Sequence, residues 1–374
     1  MLGGMRRGRW IIEAKESVRP VIYHCVSRVV NREFVFGDVE REQQRMFMRM
    51  YENFSGCRVL SYCFMSNHFH LLLEVTPMPE GGLSDRDLLK RLGSIYNDEE
   101  VSVVAEELKE VRKRIADGRV RGHAGESMVS AIHERFSYRM HDLSEFMKGF
   151  MQRYTQWHNR RHRRSGRLWE DRFKSVIVED GTASRAMAAY IDLNPVRAGM
   201  VKEPADYRWS SYGEAVCGGS KGSGKKARAG LVRALRAHQG VGADAGLWAH
   251  DVSRQYRKIL LAGAVEKQQV RVGRSGDAEV VRKRKGMSAE DARREEERLE
   301  KKLEEIPFGR MLRCRVKYFT AGAVIGSRAF VDEAFENARW RFGERRKDGA
   351  RPMRGVAAAA KGMLWSARAL RLDV

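Results

Sequence analysis

The sequence predicts an α+β fold: a ferredoxin-like, split βαβ core with an antiparallel sheet, broken by a helical insertion and followed by a mostly helical basic module. Three observations predict it. Short segments rich in β-branched and aromatic residues read as strands. Segments with apolar residues at helical spacing lie between them. Their order is strand, helix, two strands, helix, strand, helix, which is the split βαβ order.

The first strand lies in residues 20–35, where Val21, Ile22, Tyr23 and Val26 lead into a turn. Residues 39–54 carry Met46, Phe47, Met50, Tyr51 and Phe54, the apolar stripe of an amphipathic helix. Residues 57–65 and 68–75 read as two strands joined by a turn at Ser66-Asn67. Pro77, Pro79, Gly81 and Gly82 then break the pattern. From 84 to about 140 the chain is charged and helical in pattern, an insertion into the core. Leu143, Phe146, Met147, Phe150, Met151 and Tyr154 mark a further helix over 143–158. Residues 168–179 read as a strand and the Ala-rich 182–193 as a helix that Asn194-Pro195 ends, because the residue before proline is pushed out of the α region. The domain organisation expected is a basic N-terminal arm (1–19), a catalytic domain (20–215), a flexible basic linker (216–232) and a C-terminal helical accessory domain (233–374). The linker reading rests on the Gly, Ser and Lys of 218–230. Within the last part, residues 288–305 read as a charged helix. Residues 320–347 read either as a helix-turn-helix-like accessory binder or as a small helical unit with a basic face.

Charge points to the partner. The 71 Lys and Arg exceed the 49 Asp and Glu, for a formal net charge of +22, with a pI near 10.0. Such an excess draws polyanions and says nothing about fold. Mean hydropathy is -0.54, and no run approaches the roughly 18 apolar residues of a membrane span. No apolar stretch follows the basic start, so a cleaved secretion signal is not expected. The five cysteines (Cys25, Cys57, Cys63, Cys217, Cys314) are odd in number and form no Cys-x-x-Cys, so neither a disulfide framework nor a structural zinc site is suggested, and a reducing, cytoplasmic setting fits.

Two constellations carry chemistry. His68 and His70 flank Phe69, and on a strand alternate side chains share a face, so both imidazoles can meet one divalent metal. Tyr190 and Asn194 lie one helical turn apart, so a phenol nucleophile and an amide oxygen ligand can face one centre. Tyr154 and His158 have the same spacing, and spacing alone leaves both tyrosines open. Candidate nucleic-acid contacts are Arg160, Arg161, Arg163, Arg164 and Arg167 with the flanking Trp157 and Trp169, and further Arg28, Arg172 and Lys174, the last two on one expected strand face.

Three blocks are distinctive together: Met65-Ser-Asn-His-Phe-His-Leu-Leu72, Gly166-Arg-Leu-Trp-Glu-Asp-Arg-Phe-Lys-Ser175, and Tyr190-Ile-Asp-Leu-Asn-Pro-Val-Arg-Ala-Gly199. In this order they resemble the REP-associated tyrosine transposases, single-tyrosine members of the histidine-hydrophobic-histidine (HUH) endonuclease superfamily. The resemblance covers roughly 20–215. It implies an HUH nuclease core in which His68, His70 and Asn194 hold a divalent metal, Mg²⁺ or Mn²⁺. It implies that Tyr190, not Tyr154, attacks single-stranded DNA and becomes 5′-phosphotyrosyl-linked, leaving a free 3′-OH. It implies recognition of hairpin DNA beside a guide sequence, a homodimer, and a nucleoid-associated place in the cytoplasm. The insertion at 84–140 and the tail after 218 depart from compact members.

Two other readings stand beside it. One is a domesticated, catalytically silent nucleic-acid-binding protein, motivated by the charge. The other is a metal hydrolase unrelated to DNA, for which Glu74 is the one nearby acidic base and the basic surface has no role.

Overall fold

The computed structural model describes residues 9–12, 19–120, 122–218, 223–236, 248, 250–264, 267–272, 278–284, 286–299, 312, 317–320, 322–352 and 364–368. Its core elements are β1 (Val21–Arg28), α1 (Asp38–Ser55), β2 (Arg58–Phe64), β3 (His68–Val75), α2 (Asp85–Leu92), α3 (Asp98–Ala116), α4 (His123–Ser137), α5 (Leu143–Arg161), β4 (Lys174–Val178), α6 (Thr182–Asp192), α7 (Asn194–Ala198) and α8 (Ser211–Cys217). The core strands lie in the order β2-β3-β1-β4. β1 runs antiparallel to both β3 and β4, and β2 antiparallel to β3. This is the α+β arrangement the element order predicts.

The sheet has two distinct faces because side chains alternate along each strand. Registers His24↔Leu72, Val26↔His70, Arg28↔His68 and Val26↔Lys174 put these residues on one face. The other face carries Phe69, Leu71, Leu73, Cys25 and Ile177. On that second face Phe69 packs against Phe150 of α5 and against Trp169, and α5 packs on α1 through Tyr51 and Phe146. Helix α6 covers the first face, since Tyr190 meets His24 and His70 there. β3 is buried along almost its whole length, as its run of Leu71, Leu72 and Leu73 between two covered faces requires. The insertion α2–α4 builds its own small core from Leu88, Leu92, Val104, Leu108, Val111, Val129 and Ile132, with Phe54 of α1.

Past residue 217 the structure departs from the expectations. Residues 223–235 form a helix, α9 (Ser223–Leu235), where a flexible linker was expected. The reason is an apolar stripe at helical spacing: Ala227, Leu231, Val232, Ala234 and Leu235 are all buried. Gly230 lets α9 lie directly on β2, since a Cβ there would stand 2.3 Å from the Val59 carbonyl oxygen. The rest of the tail holds α10 (His250–Ala264), the hairpin β5 (Lys267–Val272) and β6 (Ala278–Arg284), and α11 (Ala289–Leu299) within the expected charged helix. It then holds a helical turn (Lys317–Thr320), β7 (Gly322–Gly326), α12 (Arg328–Asn337), β8 (Arg351–Pro352) and β9 (Trp365–Arg368).

The tail is therefore not purely helical. β7 pairs in parallel with β4, and β9 and β8 follow, so among the described residues one sheet of seven strands runs β2-β3-β1-β4-β7-β9-β8. Residues 322–337 form a strand, a turn and a helix capped by Ser327, not a helix-turn-helix. Ala323, Val324 and Ile325 are buried against the core, which is the burial that ties this part to the sheet. The described part of the N-terminal arm also packs inward: Trp10 is buried and meets Phe342 edge-on. Among the described residues no helix is long and apolar enough to cross a membrane.

Candidate active site

The histidine pair sits as the strand pattern requires. His68 and His70 emerge from β3 on one face with ring centroids 5.1 Å apart. Each is held by its Nδ1 side. His68 Nδ1 lies 2.7 Å from Asn67 Oδ1, and Asn67 in turn donates its amide to the Arg32 carbonyl. His70 Nδ1 lies 3.0 Å from Nε2 of a third histidine, His24 of β1. His24 Nδ1 lies 2.7 Å from the Phe319 carbonyl oxygen, in the turn just before β7. Burial lowers His68 to about 4, with the Arg28 charge adding to the effect. Burial likewise lowers His24 to about 4, and His70 well below the usual imidazole range, with the charges of His68 and His24 adding. All three are neutral imidazoles at physiological pH, the form in which a ring nitrogen offers a lone pair.

α6 brings Tyr190 over this face. Its ring stands 5.8 Å from His70, edge-on at 89°, and 6.0 Å from His24. Phe319 stacks on the Tyr190 ring at 4.7 Å and 14°, and the Arg197 guanidinium lies 4.8 Å from the ring centroid. Arg197 also donates to the Tyr190 and Leu312 carbonyls. Under this cover Tyr190 is only 1% exposed. The helix ends at Asp192, one residue before the expected end, and Asn194, expected outside the α region, instead opens the short helix α7 with Pro195 in its first turn. Asn194 donates its amide to the Tyr190 and Ile191 carbonyls, a capping role that leaves its oxygen as the atom a metal would take. Asp192 points elsewhere, accepting from Tyr256 Oη at 2.6 Å and from the Tyr212 amide.

The rival tyrosine lies across the sheet. Tyr154 packs among Phe36, Trp157, His158 and Trp169, and Trp169 meets Phe69 on the face away from the histidine pair. Burial raises the Tyr154 phenol far above its usual range. Glu74, the base that a DNA-independent hydrolase would need, is instead bound to Arg233 at 2.6 Å.

The basic candidates separate into two groups. Arg28 and Lys174 share the face of His68 and His70, by the register of β1 with β3 and β4. Arg160, Arg161, Arg163 and Arg164 sit at the end of α5 and in the loop after it, where Arg161 pairs with Glu40 at 3.4 Å. Arg164 and Arg167 donate to carbonyls of that loop. Arg172 precedes β4 in a bend, so the strand face it was expected to share with Lys174 does not exist there. Trp169, expected to stack on a base, is a core residue. Its indole N–H donates to Thr155 Oγ1 at 2.9 Å and its ring is enclosed by Phe36, Phe69 and Tyr154. The half-buried Trp157 beside Arg161 is the better placed of the two.

His24 was not among the residues the sequence singled out. A lone histidine on an apolar strand has no sequence mark of its partners, and its second partner is 295 positions away.

Residues 17–80, which hold β1, α1, β2 and β3, match the model of the IS200-like transposase family. A solved structure described as the REP-associated tyrosine transposase bound to a REP hairpin is also similar, at 12% identity and a TM-score of 0.34, over 58% of this chain and 87% of that one. No curated protein matches the chain.

Among the described residues no three His, Cys, Asp or Glu side chains cluster as a metal would need. The two imidazoles nonetheless suit a divalent ion in their chemistry: both are neutral and both are anchored through Nδ1. A third donor of another kind would complete an N/O set that Mg²⁺, Mn²⁺ or Zn²⁺ can accept.

Proposed function

We propose that the protein is a transposase acting as a metal-dependent single-stranded DNA endonuclease and strand transferase, which cuts near DNA hairpins through a 5′-phosphotyrosine. The observation that carries this reading is Tyr190 beside His70, on the sheet face that also carries His68, Arg28 and Lys174.

His68, His70 and the Asn194 oxygen would hold Mg²⁺ or Mn²⁺. When bound, such an ion supplies Lewis-acid polarisation of the scissile phosphate. The Tyr190 oxygen forms the new bond to phosphorus as the bond from phosphorus to the 3′ oxygen breaks. The phenolic proton leaves to solvent and the 3′ oxygen takes one up, so cleavage leaves a free 3′-OH and a 5′-phosphotyrosine without net hydrolysis. Arg28 and Lys174 would hold flanking phosphates, and Arg160, Arg161, Arg163 and Arg164 the backbone farther out. Attack of a 3′-OH on the phosphotyrosine reverses the step and joins strands. Because Tyr190 is buried, with Phe319 stacked on its ring, DNA can reach it only after part of that cover moves.

The burial of Tyr190 also favours a second reading, a nucleic-acid-binding protein that keeps the fold and does not cut. One experiment separates the two. The protein is incubated with an end-labelled single-stranded hairpin and Mg²⁺ or Mn²⁺, and covalent adduct is resolved on a denaturing gel. Adduct in the wild type, absent in Tyr190→Phe and retained in Tyr154→Phe, is expected. Equal adduct in Tyr190→Phe removes the assignment of the nucleophile. Salt-dependent hairpin binding with no metal-dependent adduct establishes the silent binder.

A further inference from the structure

We propose that His24 is a positioning residue: it fixes His70 in the tautomer whose Nε2 is bare, and it is itself oriented by the backbone carbonyl of Phe319. The proposal deepens the metal-binding reading above and rests on it.

The protons can be followed from one end. A carbonyl oxygen only accepts, so the His24 Nδ1 that faces Phe319 at 2.7 Å must carry the proton. His24 is fully buried, and a charged imidazole there would face the rings of His70 and Tyr190 with no carboxylate acting on it among the described residues. It is therefore neutral, and its Nε2 holds a lone pair. The atom facing that lone pair, at 3.0 Å, is His70 Nδ1, which must donate. His70 then has no proton on Nε2, the nitrogen left for a metal.

His68 reaches the same state by another route. The Asn67 amide nitrogen donates to the Arg32 carbonyl, so the Asn67 oxygen is the atom 2.7 Å from His68 Nδ1, and it accepts. Both histidines of the pair are thus set with Nδ1 protonated and Nε2 bare, one by an amide and one by a histidine. The His24 and His70 rings lie within 12° of parallel with centroids 5.2 Å apart, the separation an in-plane hydrogen bond between ring nitrogens gives, so the same bond also sets the plane of the His70 ring. Partners of this kind around metal-binding histidines are typically worth about 10–100-fold in metal affinity.

The test uses the full chain with ¹⁵N-labelled histidine and reads two quantities. Two-bond ¹⁵N–¹H spectra of the metal-free protein report which nitrogen of His70 carries the proton. A Mn²⁺ titration followed by electron paramagnetic resonance reports affinity. Wild type is expected to show His70 protonated at Nδ1. His24→Phe, which keeps a ring and removes the acceptor, is expected to lose that preference and to weaken Mn²⁺ binding by about 10–100-fold. His24→Gln, whose side-chain oxygen can accept from the same direction, is expected to restore both. A wild-type His70 protonated at Nε2 overturns the proposal by itself, whether or not a variant folds. So does a folded His24→Phe with unchanged His70 spectrum and Mn²⁺ affinity. Wild type that shows the expected tautomer yet binds no Mn²⁺ overturns the metal reading and leaves the hydrogen-bond chain standing.

Discussion

Replacing Phe319 by Ala should uncover Tyr190. The Phe319 ring is fully buried and stacks on the Tyr190 phenol at 4.7 Å. Truncating a buried Phe to Ala costs about 3–5 kcal/mol, of which an aromatic pair contributes about 0.5–1.5 kcal/mol beyond its buried area. If that loss falls on the docking of this turn, opening becomes easier by roughly 10² to several thousand-fold, since about 1.4 kcal/mol is a factor of ten. The assay is nitration by tetranitromethane, with peptide mass spectrometry resolving each tyrosine. Tyr190 should be nitrated up to that factor faster in Phe319→Ala, while Tyr154, across the sheet, stays protected. Phe319→Leu should give a smaller rise. Hairpin adduct should form faster too, where uncovering limits the rate. Unchanged Tyr190 nitration in a folded variant would refute the reasoning, because the phenol would then be shielded by something other than the Phe319 ring. A parallel rise at Tyr154 would mean general loosening, not a lifted cover.

Further outcomes follow from other parts of the molecule. Lys174→Ala, on the face of the histidine pair, should weaken hairpin binding and reduce the slope of log affinity against log salt by about 0.7, the value of one phosphate contact on a single strand; an unchanged slope in a binding titration removes Lys174 from the interface. Trp169→Ala should lower stability by about 3–5 kcal/mol, because the ring is enclosed by Phe36, Phe69 and Tyr154. A folded Trp169→Ala that loses hairpin affinity without losing stability in urea would return the residue to the DNA. His158 lies buried against His162 and Phe36, and burial lowers it from 6.5 to about 4, with the charges of His162 and Arg164 adding. As pH falls from about 6.5 to about 4, the unfolded chain takes up a proton there that the folded chain refuses, so stability falls with pH by at most about 3 kcal/mol. His158→Phe should flatten that limb of urea midpoint against pH, and an unaltered limb counts against it.

Local pattern made much of the core legible. The strand at His68–Val75 and the helices over 38–55, 143–161 and 182–192 lie where a short apolar run, helical stripes and a proline place them. The two tyrosines show where local pattern ends. Tyr154 and Tyr190 have the same one-turn relation to a polar residue, and only the two faces of the sheet distinguish them. Trp169 is similar: a tryptophan amid arginines looks like a stacking platform until Phe69 and Phe36 are known to enclose it. The α9 stripe was hidden because glycine, serine and lysine dominate 218–230, although the buried positions recur at helical spacing. His24 and Phe319 were beyond local reading altogether, since a hydrogen bond across 295 positions depends on which strand finally lies beside which.

The parallel pairing of β7 with β4, at Ile177↔Val324 and Val178↔Ile325, also has a consequence for the order in which the protein is made. When the first 215 or so residues have left the ribosome, β4 is an outer strand, and Val176, Ile177 and Val178 form an unpaired apolar edge. Such edges recruit other strands, and they remain open until more than a hundred further residues have been synthesised. A nascent or truncated chain ending at the apparent limit of the catalytic part would therefore be prone to aggregate, and shielding that edge in the interval is a task for chaperones or for nucleic acid already bound beside it.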